Sequence, residues 1–166
     1  MRAERRLPRM FCRIYTRSFT LPRTERDFPR VPVTTNVVLF RTLVSLGEQL
    51  IDLHTMDVQP PPITRYDIAG NNEITKVRWA PASEGRKGRV YINDTQYFDG
   101  VSESVWDMHI GSYRVAEKWL KDRRGRKLSY DDLTHYQAVI AALARTLEIQ
   151  AEIDAAIENA GGWPLK

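Results

Sequence analysis

Few side chains in this sequence have the types and spacing for bond-making chemistry. The three histidines, His54, His109 and His135, lie far apart and share no short ligand spacing with the one cysteine, Cys12, or with an acidic pair. Zinc needs three or four converging ligands, usually arranged in tight pairs, so no metal site is predicted. His54 falls on an apolar helical stripe, where a hydrogen-bonded core histidine is the simpler reading. Arg13 beside Cys12 favours a thiolate, but nothing else arranges that sulfur as a nucleophile. Gly85-Arg-Lys-Gly88 has two glycines and a lysine yet lacks the spacing and the Ser/Thr of a Walker loop. It reads as a hairpin tip, with a phosphate contact as the second reading. Asp131-Asp132 stands at a helix start, where the backbone dipole accounts for both carboxylates. No catalytic residue and no cofactor are expected.

Positive charge is the stronger signal. Residues 1–30 hold nine Lys/Arg against three Asp/Glu, whereas the other 136 of the 166 residues hold sixteen against eighteen. Within that balanced remainder, residues 113–127 (YRVAEKWLKDRRGRK) carry seven basic and two acidic side chains. The stretch after it, 128–166, carries two basic and six acidic ones. Charge segregated in this way suits a chain with one face toward a polyanion. A solvated helix face is the alternative for any single run of charge.

These groups need a scaffold to position them, and composition supplies one. Apolar residues make up 42% and charged residues 28%, the balance of a globular domain rather than a disordered, collagen-like or disulfide-rich chain. No apolar run approaches the roughly 18–20 residues of a membrane helix. The basic N-terminus lacks the apolar core of a secretory signal, so a cytoplasmic location without membrane association is expected. The 1–30 stretch is a basic, irregular lead-in broken by Pro8, Pro22 and Pro29, and residues 31–166 form a single domain. Val37, Phe40, Leu43, Val44, Gly47, Leu50, Ile51 and His54 recur at helical spacing and predict a helix over 36–57, stopped by Gln59-Pro-Pro-Pro62.

Residues 63–100 read as a β-section, with Ile74–Trp79 and Arg89–Asn93 as strands around a glycine-containing loop. Ser102–Trp106 suits a helical turn and Asp107–Ile110 a short strand. A second helix is predicted over 112–124, with Gly111-Ser112 at its start, and a long helix over 129–159 opened by Ser129 and Asp132 as a capping box. The fold class is α+β: a small central antiparallel β-section flanked by amphipathic helices, with a long C-terminal helix.

Two stretches carry a family likeness. Asp27-Phe-Pro-Arg-Val-Pro-Val33, with Leu39-Phe40 and Leu46-Gly-Glu-Gln-Leu-Ile-Asp-Leu-His54, is similar to a segment of large bacterial N6-adenine DNA methyltransferases, the single-chain Type ISP restriction–modification enzymes. Tyr91-Ile-Asn-Asp-Thr-Gln-Tyr-Phe98, Val105-Trp106, Ile110-Gly-Ser-Tyr113, Lys118-Trp-Leu-Lys-Asp-Arg123, Leu128-Ser129, His135-Tyr-Gln137 and Thr146 resemble the C-terminal specificity region of the same enzymes, in the same order. The likeness covers about residues 27–157. The adenine-clamping Asn-Pro-Pro-Tyr/Phe motif of those enzymes has no counterpart, since Gln59-Pro-Pro-Pro62 begins with the wrong residue and ends without an aromatic ring. No glycine-rich cofactor turn follows a strand either.

The resemblance implies a detached or truncated target-recognition domain that binds double-stranded DNA without transferring a methyl group. Arg114, Lys118, Lys121, Arg123, Arg124, Arg126 and Lys127 are then the phosphate contacts, with Ser112 adding a hydroxyl at the helix start. Arg86, Lys87 and Arg89 are the base readers, with Arg65 and Arg78 behind them. Trp119 belongs to the core. A methyltransferase or restriction subunit is the implied protein partner. The alternative is an interaction fragment whose helices 36–57 and 129–159 dock on a methyltransferase body, with little DNA affinity of its own.

Overall fold

The computed structural model describes residues 34–81 and 87–162. The basic lead-in and Arg86 lie outside the described residues. The elements run α1 (Val37–His54), β1 (Arg78–Ala80), β2 (Gly88–Tyr91), β3 (Tyr97–Val101), α2 (Glu103–Trp106), β4 (His109–Ile110), β5 (Tyr113–Arg114), α3 (Val115–Lys121) and α4 (Tyr130–Asn159). This is an α+β fold, as expected. The chain divides into two compact units, Met1–Val58 with Thr146–Lys166, and Gln59–Arg145.

In the first unit, Asn36 starts α1 by accepting from the amides of Val38 and Leu39 at 3.0 and 3.1 Å. The helix stops at Thr55, and Met56 turns left-handed at φ 60° ahead of the prolines. Its buried stripe is Leu39, Leu43, Leu46, Leu50 and Leu53 with Val44 and Gly47. The predicted stripe was rotated: Val37 and His54 are exposed, and Phe40 and Ile51 are only half-buried. Apolar residues flank the true stripe on both sides, so helical periodicity alone admits either register. Thr146, Ile149, Ile153 and Ile157 are the buried positions that α4 gives this unit. His54, exposed overall, sets its ring edge 3.5 Å from Thr146 Oγ1, and partial desolvation lowers its pKa.

The second unit is built on a three-stranded antiparallel sheet in the order β1-β2-β3. The register pairs Trp79 with Val90 and Val90 with Phe98, with an irregularity at Gly88/Arg89. Gly88 has no room for a side chain, because a Cβ there would come 2.4 Å from the Trp79 ring, whose Nε1 donates to the Val101 carbonyl. An aromatic chain crosses this core. Phe98 lies 4.6 Å from the rings of both Tyr66 and Tyr136, and Tyr136 lies 5.1 Å from Trp119. The Tyr136 hydroxyl donates to the Ala116 carbonyl at 3.2 Å, and complete burial drives its pKa far upward.

The segment 74–76, predicted as strand, stays outside the ladder. The amides of Thr75 and Lys76 both donate to the Ile92 carbonyl. On the other side the segment meets the chain fifty residues onward: the Gly125 amide donates to the Ile74 carbonyl, and the Ile74 amide to Arg126. Gln96, 1% exposed, holds the preceding loop. Its Oε1 accepts from the Asn72 amide and Asn93 Nδ2, while its Nε2 donates to the Ile68 carbonyl and Asn72 Oδ1. All four hydrogen-bonding positions of this buried amide are used, which fixes the path of residues 68–73.

Ser112 does not open a helix. Gly111-Ser112 form the two-residue turn between β4 and β5, and α3 begins only at Val115, with Arg114 as its cap residue. Seven helical residues follow before Lys121. The α4 start is a capping box: Ser129 N–H and Oγ–H donate to Asp132 Oδ2, and the Asp132 amide donates to Ser129 Oγ. These bonds favour the ionised carboxylate and lower its pKa from the ordinary 3.8. Asp132→Ala is expected to destabilise the chain by about 0.5–1 kcal/mol at neutral pH. A carboxyl depressed in the folded state stabilises above its unfolded value and loses that contribution as acid protonates it. The gap to wild type should therefore close in thermal melts below about pH 4. Gly161 and Gly162, both at positive φ, end the helix, and the Gly162 amide returns to the Ile157 carbonyl.

Candidate functional site

The cations of residues 113–127 separate into two groups. Those around α3 are matched by carboxylates. Arg114 Nε lies 3.3 Å from Asp107, Lys118 Nζ 2.7 Å from Asp122 and Lys121 Nζ 2.9 Å from Glu117. The Arg114 and Lys118 pairs are exposed and worth about 0.2–1 kcal/mol each, Glu117 in the third is 23% exposed, and all three weaken the outward field of this helix. Arg123 packs its guanidinium 3.8 Å from the centre of the Trp119 ring and donates to the Trp119 carbonyl, so it caps the aromatic chain. Trp119, half-buried between Arg123, His135 and Tyr136, is part of that packing.

Arg124, Arg126 and Lys127 differ. Each is exposed, and among the described residues none forms an ion pair. Gly125, at φ 79°, bends the chain so that 124–127 runs antiparallel to 73–76. Arg124 Nε donates to the Thr75 carbonyl at 3.2 Å. Lys127 faces Glu73 across an isolated backbone bridge, without an ion pair between their side chains. The charge of Arg126 reaches Asp132 and contributes to its lowered pKa after the Ser129 hydrogen bonds. Alongside these lie exposed Lys76 and, two residues on, exposed Arg78, whose guanidinium sits 3.8 Å over the Tyr91 ring. Two sequence-distant segments thus run side by side and carry five exposed cations, Lys76, Arg78, Arg124, Arg126 and Lys127, called the ridge below. Such a ridge offers a polyanion charges that need not first leave a carboxylate.

Two of the three expected base readers, Lys87 and Arg89, lie within the described residues. Arg86 lies outside the described residues. Lys87 is exposed and, among the described residues, forms no ion pair. Arg89 lies along the outer, half-exposed face of the sheet: its Nε donates to Asp99 Oδ1 at 2.9 Å across the β2–β3 register, and its guanidinium lies 4.5 Å from the Tyr97 ring. The hydrogen bond to Asp99 is the main cause of its raised pKa. Lys76 was absent from the sequence expectations. Its alternation with Arg78 in Ile-Thr-Lys-Val-Arg-Trp79 marks two side chains on one face, but no local signal brings that face beside residue 124.

Among the described residues, no three His, Cys, Asp or Glu side chains are gathered to hold a metal ion. No described helix is long and apolar enough to cross a membrane.

Comparison with known proteins follows the same outline. Solved structures of Type ISP enzymes share this fold. One is a nuclease-deletion mutant of the Type ISP restriction-modification enzyme LlaGI in complex with a DNA substrate mimic, matched at a TM-score of 0.58 and 16% identity over 87% of this chain and 13% of that one. Another is the ATP-dependent Type ISP restriction-modification enzyme LlaBIII bound to DNA, at 0.57 and 18% over 77% and 9%. The chain therefore corresponds to roughly a tenth of the length of each enzyme. No curated protein matches. The family model for the Type ISP C-terminal specificity domain matches residues 15–152, and the chain belongs to that family.

Proposed function

We propose that this chain recognises double-stranded DNA as the target-recognition domain of a restriction–modification system, with methyl transfer carried out by a catalytic domain outside these 166 residues. The observation that carries the proposal is the ridge of Lys76, Arg78, Arg124, Arg126 and Lys127, without ion pairs among the described residues, on a chain of the specificity-domain family. The LlaGI and LlaBIII structures are DNA complexes, which supports the same reading. Phosphates neutralised along the ridge set the position of the duplex, and other side chains read base edges. A methyltransferase or restriction polypeptide of the same system is the partner that would use this recognition.

Salt titration of binding to short duplexes tests the proposal. Five phosphate contacts predict a slope of log Kobs on log[salt] of about −4.5, because each contact contributes about −0.9. Arg126→Ala should reduce the magnitude of that slope by about 1. Binding without salt dependence, or a slope unchanged in Arg126→Ala, removes the ridge as the phosphate site. Absence of binding to any duplex removes the proposed function and favours a domain that only docks on protein.

A further inference from the structure

The β4–β5 ribbon takes no part in the ridge, yet it is built as a projecting, preordered element. Ile110 and Tyr113 face one another across the register and remain 43% and 59% exposed. Gly111 has φ 63°, and a Cβ added there would meet nothing within 4 Å, so no described atom crowds the tip of the turn at that position. A positive φ at the first central residue alone is the II′ pattern, whose twist matches that of the strands. The base is clamped. The Val115 amide donates to the Met108 carbonyl, and Asp107 receives Arg114 on its carboxylate and His109 on its carbonyl, with Nδ1 at 2.7 Å. A carbonyl only accepts, so His109 carries its proton on Nδ1 and leaves Nε2 for another partner.

Resting on the DNA reading above, we infer that this ribbon is the base-reading element. A two-stranded ribbon fits the major groove, which is about 12 Å wide. Cross-strand partners share a face, so Ile110 and Tyr113 mark one side and His109 and Arg114 the other. Ile110 suits the thymine methyl group. The Nε2 of His109 accepts from an exocyclic amine, and the Ser112 hydroxyl donates or accepts. No carboxylate occurs between Met108 and Tyr113 to repel a phosphate backbone. The connection to the ridge is short and stiff: α3 has seven residues, about 10 Å of helix, with the ribbon at one end and Arg123–Lys127 after the other. That separation is close to the groove width, so one helix links the element that reads to the element that holds. Arg89, the alternative reader within the sheet, is occupied by Asp99.

Duplexes selected by the 166-residue chain from a pool randomised in its central base pairs test this directly. Wild type should enrich one motif. His109→Ala and Ile110→Ala should each lose preference at one or two adjacent positions, lowering the ratio of affinity for the enriched site to that for a scrambled duplex about tenfold. Far-ultraviolet circular dichroism checks that the variants remain folded. Should Ile110→Ala not fold, Ile110→Val shortens the same apolar contact and is expected to alter the same position more weakly. Variants that enrich the wild-type motif at an unchanged ratio overturn the ribbon proposal and leave the ridge standing. So does a wild-type chain that binds duplexes with the expected salt slope but enriches nothing. A wild-type chain that binds no duplex overturns both.

Discussion

Phe98→Ala is expected to cost about 3–5 kcal/mol of stability, read as a lower urea midpoint in circular dichroism. Phe98 is fully buried on β3, opposite Val90, and its ring touches Tyr66 on one side and Tyr136 on the other. Truncation removes the middle member of an aromatic chain that ends at Trp119, and leaves a void that the flanking rings fill only in part. The Tyr136 hydroxyl is tied to the Ala116 carbonyl, which restricts how far that ring can move. A loss of this size is a large share of the roughly 5–15 kcal/mol that keeps a typical domain folded. Val37→Ala, at a position 60% exposed in α1, should stay within about 0.5 kcal/mol of wild type. If the two variants melt alike, the residues 59–145 are not organised around Phe98.

Removing the ridge should have the largest effect on binding. In the counterion-release description, each phosphate contact contributes about fivefold to affinity near 0.15 M salt, so four contacts contribute about a thousandfold. Lys76→Ala, Arg124→Ala, Arg126→Ala and Lys127→Ala combined should weaken duplex binding by about that factor and reduce the salt slope by about 3.6. The informative contrast is Lys118→Ala combined with Lys121→Ala. Those two lysines come from the same basic stretch of sequence, but Asp122 and Glu117 already face them at 2.7 and 2.9 Å. Their removal should change affinity by about twofold or less, since a cation that must leave its own carboxylate contributes little net attraction. Equal losses in the two variants would mean that charge count, rather than pairing, governs binding, and the ridge would lose its special standing. All six positions are exposed, so fluorescence anisotropy can compare the variants without a large stability difference.

The sequence made much of this architecture legible. Ser129–Asp132 announced its helix because capping is local: the side chains and the amides they satisfy lie within three residues. The prolines after Gln59 marked the end of the α1 region for the same reason, and the boundary between the two compact units falls at Val58 and Gln59. Ser112 was misread because Gly-Ser before an apolar helical run suits a helix start and a II′ turn equally well. Only the partner strand, His109–Ile110, decides between them. The candidate site depended still more on distant contacts. The basic run at 113–127 was plain, but which of its members lack a carboxylate is set by side-chain geometry on α3. Lys76 joins them only through hydrogen bonds between residues fifty positions apart. The bonds of Gln96 that hold residues 68–73 in place are equally invisible to periodicity.

The order in which the chain is made gives the two-unit arrangement a further consequence. Gln59–Arg145 is contiguous, whereas the other unit draws on residues both before and after it. On a ribosome the inner unit is complete while the outer one still lacks Ile149, Ile153 and Ile157. The leucine stripe of α1 is thus synthesised early and waits through the whole inner unit for the apolar side chains that share its core. At roughly 5–20 residues per second, that wait lasts several seconds, long enough for a molecular chaperone to meet those leucines first.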